Sequence, residues 1–445
     1  MRRRSMLLAA AGAIAHGQSG SPEIYAIQNA TIHTASGPII SSGTIVVRNG
    51  LIESVGSGAD VPAGAWTIDG KGLHVYPGLI DALSRWGLPP AADAPASRPA
   101  AAPTAARRGG GGDDSPSNVQ FQDDGGPEER PSNTSWLKAA DLVQPNDPAL
   151  TAARNAGFTT AVVFPPTGIF AGQGSALNLG GGRAGDMVVS SPVGQFLSLS
   201  VRGFTSFPGS LLGSIAYVRQ VYLDAAHYKS AKAMYTQNPR GLQRPAYDRA
   251  LEGVLESPRL LLPASRKVEI DRMIRFGREL KNPFVLYGGS EAWRAADSLK
   301  AAGVPLLINL KWPERDRESD PDVVDSLRTL EIRENAPAGP AALAKAGVRF
   351  AFYSGGVERP ADIRRAVKRA VDAGLANDDA LRAMTLDAAR IYGLDDRLGS
   401  LEPGKIANLF VTDGDWLAEK TAVKMVFVDG KKFEPAAGGQ TNGPA

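Results

Sequence analysis

Between residues 258 and 375 the chain repeats one pattern: short, almost wholly apolar runs, RLLLPAS, PFVLYGG, VPLLINLKW and VRFAFYSGG, each followed by a segment with helical spacing of its apolar residues. The helical segments include VEIDRMIRFGRELK, AWRAADSLKAAG, PAALAKAG and ADIRRAVKRAVDAG. A strand apolar on both faces must be buried on both faces, and amphipathic helices between such strands supply the cover; the pattern predicts an α/β fold with a parallel sheet, closed as a (β/α)8 TIM-like barrel. A length of 445 residues suits one such barrel with a small accessory domain.

The two ends differ from the middle. YAIQNATIHT, TIVVRNGLIESVG and AWTIDG are short β runs, and Asn49-Gly50 is a hairpin signal because both residues tolerate positive φ. Residues 398–434 give further short strands with a turn at Asp429-Gly430. We expect a β-sandwich unit over 21–74 and 398–434 around a barrel over 75–397. Residues 88–135 are rich in Ala, Pro, Gly and charge and have little to bury, which predicts a low-complexity, disordered insertion; a lid over the barrel mouth is the functional alternative. A disordered tail is expected over 435–445. From Trp136 onward, LKAADLVQPNDPALTAARNAG reads as helix, FTTAVVFP as a buried strand, the glycine-laden stretch after it as backbone turns, and Leu211 to Tyr235 as a long helix.

Arg2 to Arg4, an apolar run from Met6 to Ala15 and small residues after it read as a signal peptide over 1–20, implying a soluble periplasmic or secreted protein exported by a general or twin-arginine route. Of 49 basic residues, removal of those three leaves 46 against 46 acidic ones, a balance that points to neither nucleic acid nor an anionic membrane as partner. The absence of cysteine excludes disulfides, thiolate metal sites and a thiol nucleophile.

The stretch HVYPGLIDALSRWG at 74–87 is an apolar run, Val75 to Ile80, interrupted by Pro77-Gly78 and ending in Asp81; it reads as a buried strand delivering side chains to a site. With the preceding GKGL it resembles the first barrel strand of the amidohydrolase superfamily, Pro-Gly-hydrophobic-Ile-Asp-Ala-His-x-His, and residues 399–409, GSLEPGKIANL, resemble that family's C-terminal run, with Asn408 where Asp is usual. The helix DDALRAMTLDAARIYG is similar to another family segment, with Asp387 in place of a proline. The resemblance covers most of residues 24–433 and extends to periplasmic, imidazolonepropionase-like members. It implies a hydrolase of non-peptide carbon–nitrogen bonds that uses zinc or another divalent metal to activate water, with an aspartate at the end of the last strand as proton acceptor.

The residues at those positions do not suit that chemistry. The two histidine positions fall on Leu83 and Arg85, and the aspartate position, in FAFYSGG, falls on Gly355. The chain has four histidines, His16, His33, His74 and His227, no two of them spaced as a metal pair. No cofactor or metal is therefore expected, and the chain reads as a family member with impaired chemistry, or as a non-catalytic ligand-binding or partner subunit of an active paralogue. Asp81, Arg85, Tyr287, Asn309, Lys311 and Ser354 sit at expected strand ends and are candidates to line a pocket for a small amide or peptide-like ligand. A carboxylate pair of Asp81 with Glu358 is the alternative acid–base arrangement. A homo-oligomer is a further expectation.

Overall fold

The computed structural model describes residues 24–90, 130–199, 207–315, 322, 324–357 and 359–435. The residues expected to form a signal peptide, most of those expected to form a low-complexity insertion, Glu358 and those beyond 435 lie outside them. The strands are β1 (Ile24–Ile32), β2 (Ile40–Arg48), β3 (Leu51–Gly56), β4 (Trp66–Asp69), β5 (His74–Pro77), β6 (Leu79–Ser84), β7 (Phe158–Val163), β8 (Phe170–Gln173), β9 (Ser175–Asn178), β10 (Val188–Ser190), β11 (Gln195–Leu197), β12 (Leu260–Ala264), β13 (Phe284–Gly288), β14 (Leu306–Asn309), β15 (Phe350–Tyr353), β16 (Leu409–Thr412), β17 (Val423–Val428) and β18 (Lys431–Phe433). They form three sheets and, with the helices between them, a mixed α/β fold.

The apolar runs that alternate with helices are, as expected, parallel: β12, β13, β14 and β15 pair in sequence order, with Leu261 opposite Val285 and Leu307 opposite Ala351. Period-two alternation divides their side chains between two cores. Leu260, Leu262, Leu286, Leu306, Phe350 and Phe352 face outward onto helices, meeting Ile270, Met273 and Ile274 of Lys267–Glu279, Leu299 of Ala292–Ala302 and Val367 of Pro360–Asp372. Leu261, Val285, Leu307 and Ala351 face inward, where they join Ile80, Ala82, Val162 and Phe164 and, from the helix Leu386–Tyr392, Ala388, Ala389 and Ile391.

Two expectations are corrected. Hydrogen-bonded ladders among the described residues do not close a barrel: β6, β7, β9 and β10 form one sheet and β8 with β11–β15 another. After β7 the chain turns into antiparallel pairs, β7 with β9 and β8 with β11, where a regular βα unit would continue the parallel order. The expected sandwich is instead one continuous eight-stranded sheet from both termini, in which β16 pairs antiparallel with β5 and β5 pairs parallel with β1. The sheet curls, so that Tyr25 of β1 meets Phe427 of β17 edge to face, ring centroids 5.3 Å apart. The turn at Asn49-Gly50 packs against that at Asp429-Gly430.

The run from Val75 to Ile80 is also not one strand. It is cut at Gly78 between the terminal sheet and the first parallel strand. A Cβ on Gly78 would overlap Thr159 of β7, so only glycine permits this close crossing. The insertion ends earlier than expected, because Asn133 and Ser135 are buried and the Ser135 hydroxyl donates to the Ala250 carbonyl at 2.6 Å. Leu88, at its other end, lies in the outer core. Between Trp136 and Gly157 the helical stretch resolves into a 3-10 turn, Ala139–Leu142, and a helix Pro148–Asn155 that Asp147 caps through Ala149 N–H. The long helix runs Leu211–Gln237.

Candidate functional site

The C-terminal ends of β6, β13, β14 and β15 lie on one side of the parallel strands and carry the residues that the sequence singled out. Asp81 of β6 is 1% exposed; its Oδ1 accepts the Ser354 N–H at 2.9 Å and the Leu83 N–H at 3.5 Å. The first parallel strand and the last, which no ladder joins, are thus tied by one carboxyl group. Its Oδ2 is buried and has no hydrogen-bond partner. Burial pushes the Asp81 carboxyl up to about 6, against the opposing pull of the Ser354 and Ser84 hydroxyls and the Ser354 and Leu83 N–H groups.

Beside Asp81 the inner face is aromatic. Tyr287 stacks on Phe196, centroids 5.0 Å apart, and donates its hydroxyl to the Leu197 carbonyl at 2.9 Å; Tyr392 donates to the Ala82 carbonyl at 2.6 Å. Burial raises the hydroxyl pKa of Tyr287, Tyr353 and Tyr392. Of the expected pocket residues, Asp81 and Ser354 are in direct contact, and Asn309 stands opposite Tyr353 in the β14–β15 register. The Asn309 side-chain Oδ1 accepts the Lys311 N–H at 2.8 Å. Tyr287 has its hydroxyl committed to the backbone, while Arg85 and Lys311 are exposed at the rim just past β6 and β14. Tyr353 and Tyr392 were not singled out by the sequence; their alternation with outward-facing Phe352 and their place in the inner core are the only signals that mark them.

A divalent metal of the kind the family uses needs imidazoles and carboxylates converging at these strand ends. The donor set does not fit it. Leu83 packs as hydrocarbon against the inner core, and Arg85 is a cation at the surface. Gly355 has φ +50°, and a Cβ there would lie well inside contact distance of the Asn309 side chain. Among the described residues no group of three or more His, Asp or Glu side chains is arranged to hold a metal ion. Two histidines that are not spaced as a metal pair along the chain do meet: His33 and His74, 41 residues apart, lie with Nε2 and Nδ1 3.1 Å from each other in the terminal sheet. No spacing along the chain announces that contact, because the parallel pairing of β1 with β5 creates it.

The amidohydrolase family profile matches residues 273–433, which include β13 to β18. No curated protein sequence matches the chain. Among solved structures, an amidohydrolase from Thermotoga maritima is similar at 23% identity with a TM-score of 0.72, covering 92% of this chain and 100% of that one. A prolidase complexed with N-methylphosphonate-L-proline is similar at 17% identity and TM-score 0.52, covering 92% and 99%, and molinate hydrolase at 14% and 0.50, covering 96% and 97%. At these identities the likenesses speak to the fold. The chain thus shares the fold of the amidohydrolase from Thermotoga maritima, and its residues 273–433 match the amidohydrolase family.

Proposed function

We propose that this protein is a non-catalytic member of the superfamily that binds a small amide or peptide-like ligand bearing a carboxylate at the C-terminal rim of its parallel strands. In this reading the two inner sheets act as one (β/α)8-like barrel, with the Asp81 to Ser354 bond spanning the seam. The observation that carries it is the pairing of Gly355 with Asn309: the position that resembles the family's proton-accepting aspartate holds a glycine at φ +50°, and Asn309 takes the space a side chain would need. Such a site has been rebuilt around the loss, beyond a single exchange of residue. Arg85 and Lys311 are exposed past the ends of β6, which the Asp81 to Ser354 bond ties to the end of β15, and of β14, which pairs with β15; they supply the positive charge that a carboxylate would pair with. An exported location and an association with an active paralogue belong to the same reading and rest on the sequence.

The test is calorimetry of purified protein with N-acyl amino acids and their carboxamides, beside a hydrolysis assay with and without added zinc. Saturable binding of the acids, weaker by tenfold or more for the carboxamides and for Arg85→Ala or Lys311→Ala, with no turnover, is the expected result. Hydrolysis that a chelator abolishes and zinc restores would sink the proposal.

One observation favours a second reading. The Asp81 carboxyl, raised to about 6 and with Oδ2 unpartnered, could exchange a proton near neutral pH without a metal. Chelator-insensitive hydrolysis that is lost in Asp81→Asn would support it.

A further inference from the structure

We propose that His33 and His74 form a binding site for one divalent transition-metal ion in the terminal sheet, separate from the rim site and independent of the reading given for it. His33 directly follows β1 and His74 opens β5; the His33 N–H donates to the Val75 carbonyl at 2.9 Å, so the backbone fixes both Cα positions. The rings are held too: His33 stacks on Tyr76 with centroids 4.2 Å apart, and Tyr76 stacks on Phe410 at 5.2 Å. The result is two ring nitrogens, His33 Nε2 and His74 Nδ1, facing one another at 3.1 Å. Two imidazoles sharing a tetrahedral ion with bonds of 2.0–2.1 Å hold their nitrogens about 3.4 Å apart. To take up the ion the rings must part slightly and turn, so that the two nitrogen lone pairs, which now lie along the line of the hydrogen bond, converge on one point beside it. The ring that now donates the hydrogen bond shifts its proton to its other nitrogen, so two neutral imidazoles bind without net proton release.

His33 also lines a cavity of about 230 Å³ with Asp378 and Arg382. Asp378 and Asp415 both act on His33 as negative charges, which favours a cation beside it; Arg382 is engaged with Asp379 at 3.6 Å and Asp387 at 3.5 Å. Water in the cavity would complete the coordination. Imidazole donors with no thiolate suit Zn²⁺, Ni²⁺ and Cu²⁺.

Titration calorimetry of the untagged full-length protein with Ni²⁺ and with Zn²⁺ tests this. We expect one ion per chain, at least 30-fold weaker binding in His33→Ala and in His74→Ala, a loss of several-fold in Asp378→Asn, and no change in His227→Ala. In wild-type protein, Ni²⁺ should broaden the imidazole NMR signals of His33 and His74 before that of His227, a readout that stands even if a variant fails to fold. Absence of binding to wild type, binding that survives both alanine substitutions, or earlier broadening at His227 would overturn it. Failure of ligand binding at the rim would leave all of these readouts untouched.

Discussion

The side-chain amide of Asn408 donates to Asn178 Oδ1 at 2.7 Å, and this contact joins the terminal sheet to the first inner sheet. The same amide donates to Thr160 Oγ1 at 3.1 Å, Asn408 Oδ1 accepts the Asp429 N–H at 2.8 Å, and the Asn408 carbonyl accepts the Gly78 N–H at 2.9 Å. A residue that both donates and accepts suits this position, which is why asparagine can stand where the family pattern has aspartate. Asn408→Ala strands several buried polar groups and should cost about 2–4 kcal/mol of unfolding free energy in urea titration. Asn408→Asp should cost less, since rotation of the Asn178 amide would turn its N–H groups toward the new carboxylate. Equal losses in the two variants would contradict this account.

Gly355 should resist substitution. Its φ of +50° disfavours any side chain, and a Cβ would collide with Asn309. We expect Gly355→Ala to lower stability by about 1–3 kcal/mol. Pairing it with Asn309→Gly, which opens the space, should recover the steric part; a double-mutant cycle that shows no coupling would remove the steric argument.

For Asp81 the pH dependence has a definite sign. Its folded carboxyl is raised to about 6 from an unfolded value of 3.8, so between those values the native state holds more protons than the unfolded chain. The contribution is present below 3.8 and is lost as pH rises through 6, on the order of 3 kcal/mol in all. Urea unfolding of wild type and Asp81→Asn from pH 4 to 7.5 should show wild type losing ground against the variant as pH rises. Parallel profiles would mean that Asp81 does not titrate as its burial dictates.

His33 carries the opposite sign. Burial first, and then His74, lower its pKa, while Asp415 and Asp378 oppose. The unfolded chain therefore takes up a proton before the native one, and stability falls as pH drops below the ordinary histidine value of 6.5. In metal-free buffer the loss below pH 6.5 should be smaller in His33→Asn than in wild type, read from melting temperatures across pH 5 to 8.

Much of the fold was legible because it rests on local periodicity. Apolar runs such as LLLPA and FAFY are buried on both faces, and the helices Lys267–Glu279 and Pro360–Asp372 present one apolar stripe each. What was misread depends on pairing at a distance. Val75 and Ile80 are equally apolar, and nothing in their order says that Gly78 sends them to different sheets. Among the site residues, Asp81 and Ser354 were named for their positions at strand ends, and they meet; Tyr287 was named for the same reason, yet its hydroxyl is consumed by Leu197.

By itself the sequence determined the class of fold and the chemical identity of the positions that resemble the family's metal and proton-transfer residues, because composition and period act over a few residues. Only tertiary structure decided that Asp81 is a buried acid spanning a seam, that Asn309 fills the space beside Gly355, and that His33 meets His74. Each of those facts joins residues 41 to 273 positions apart, and such contacts follow from how the sheets twist and pack.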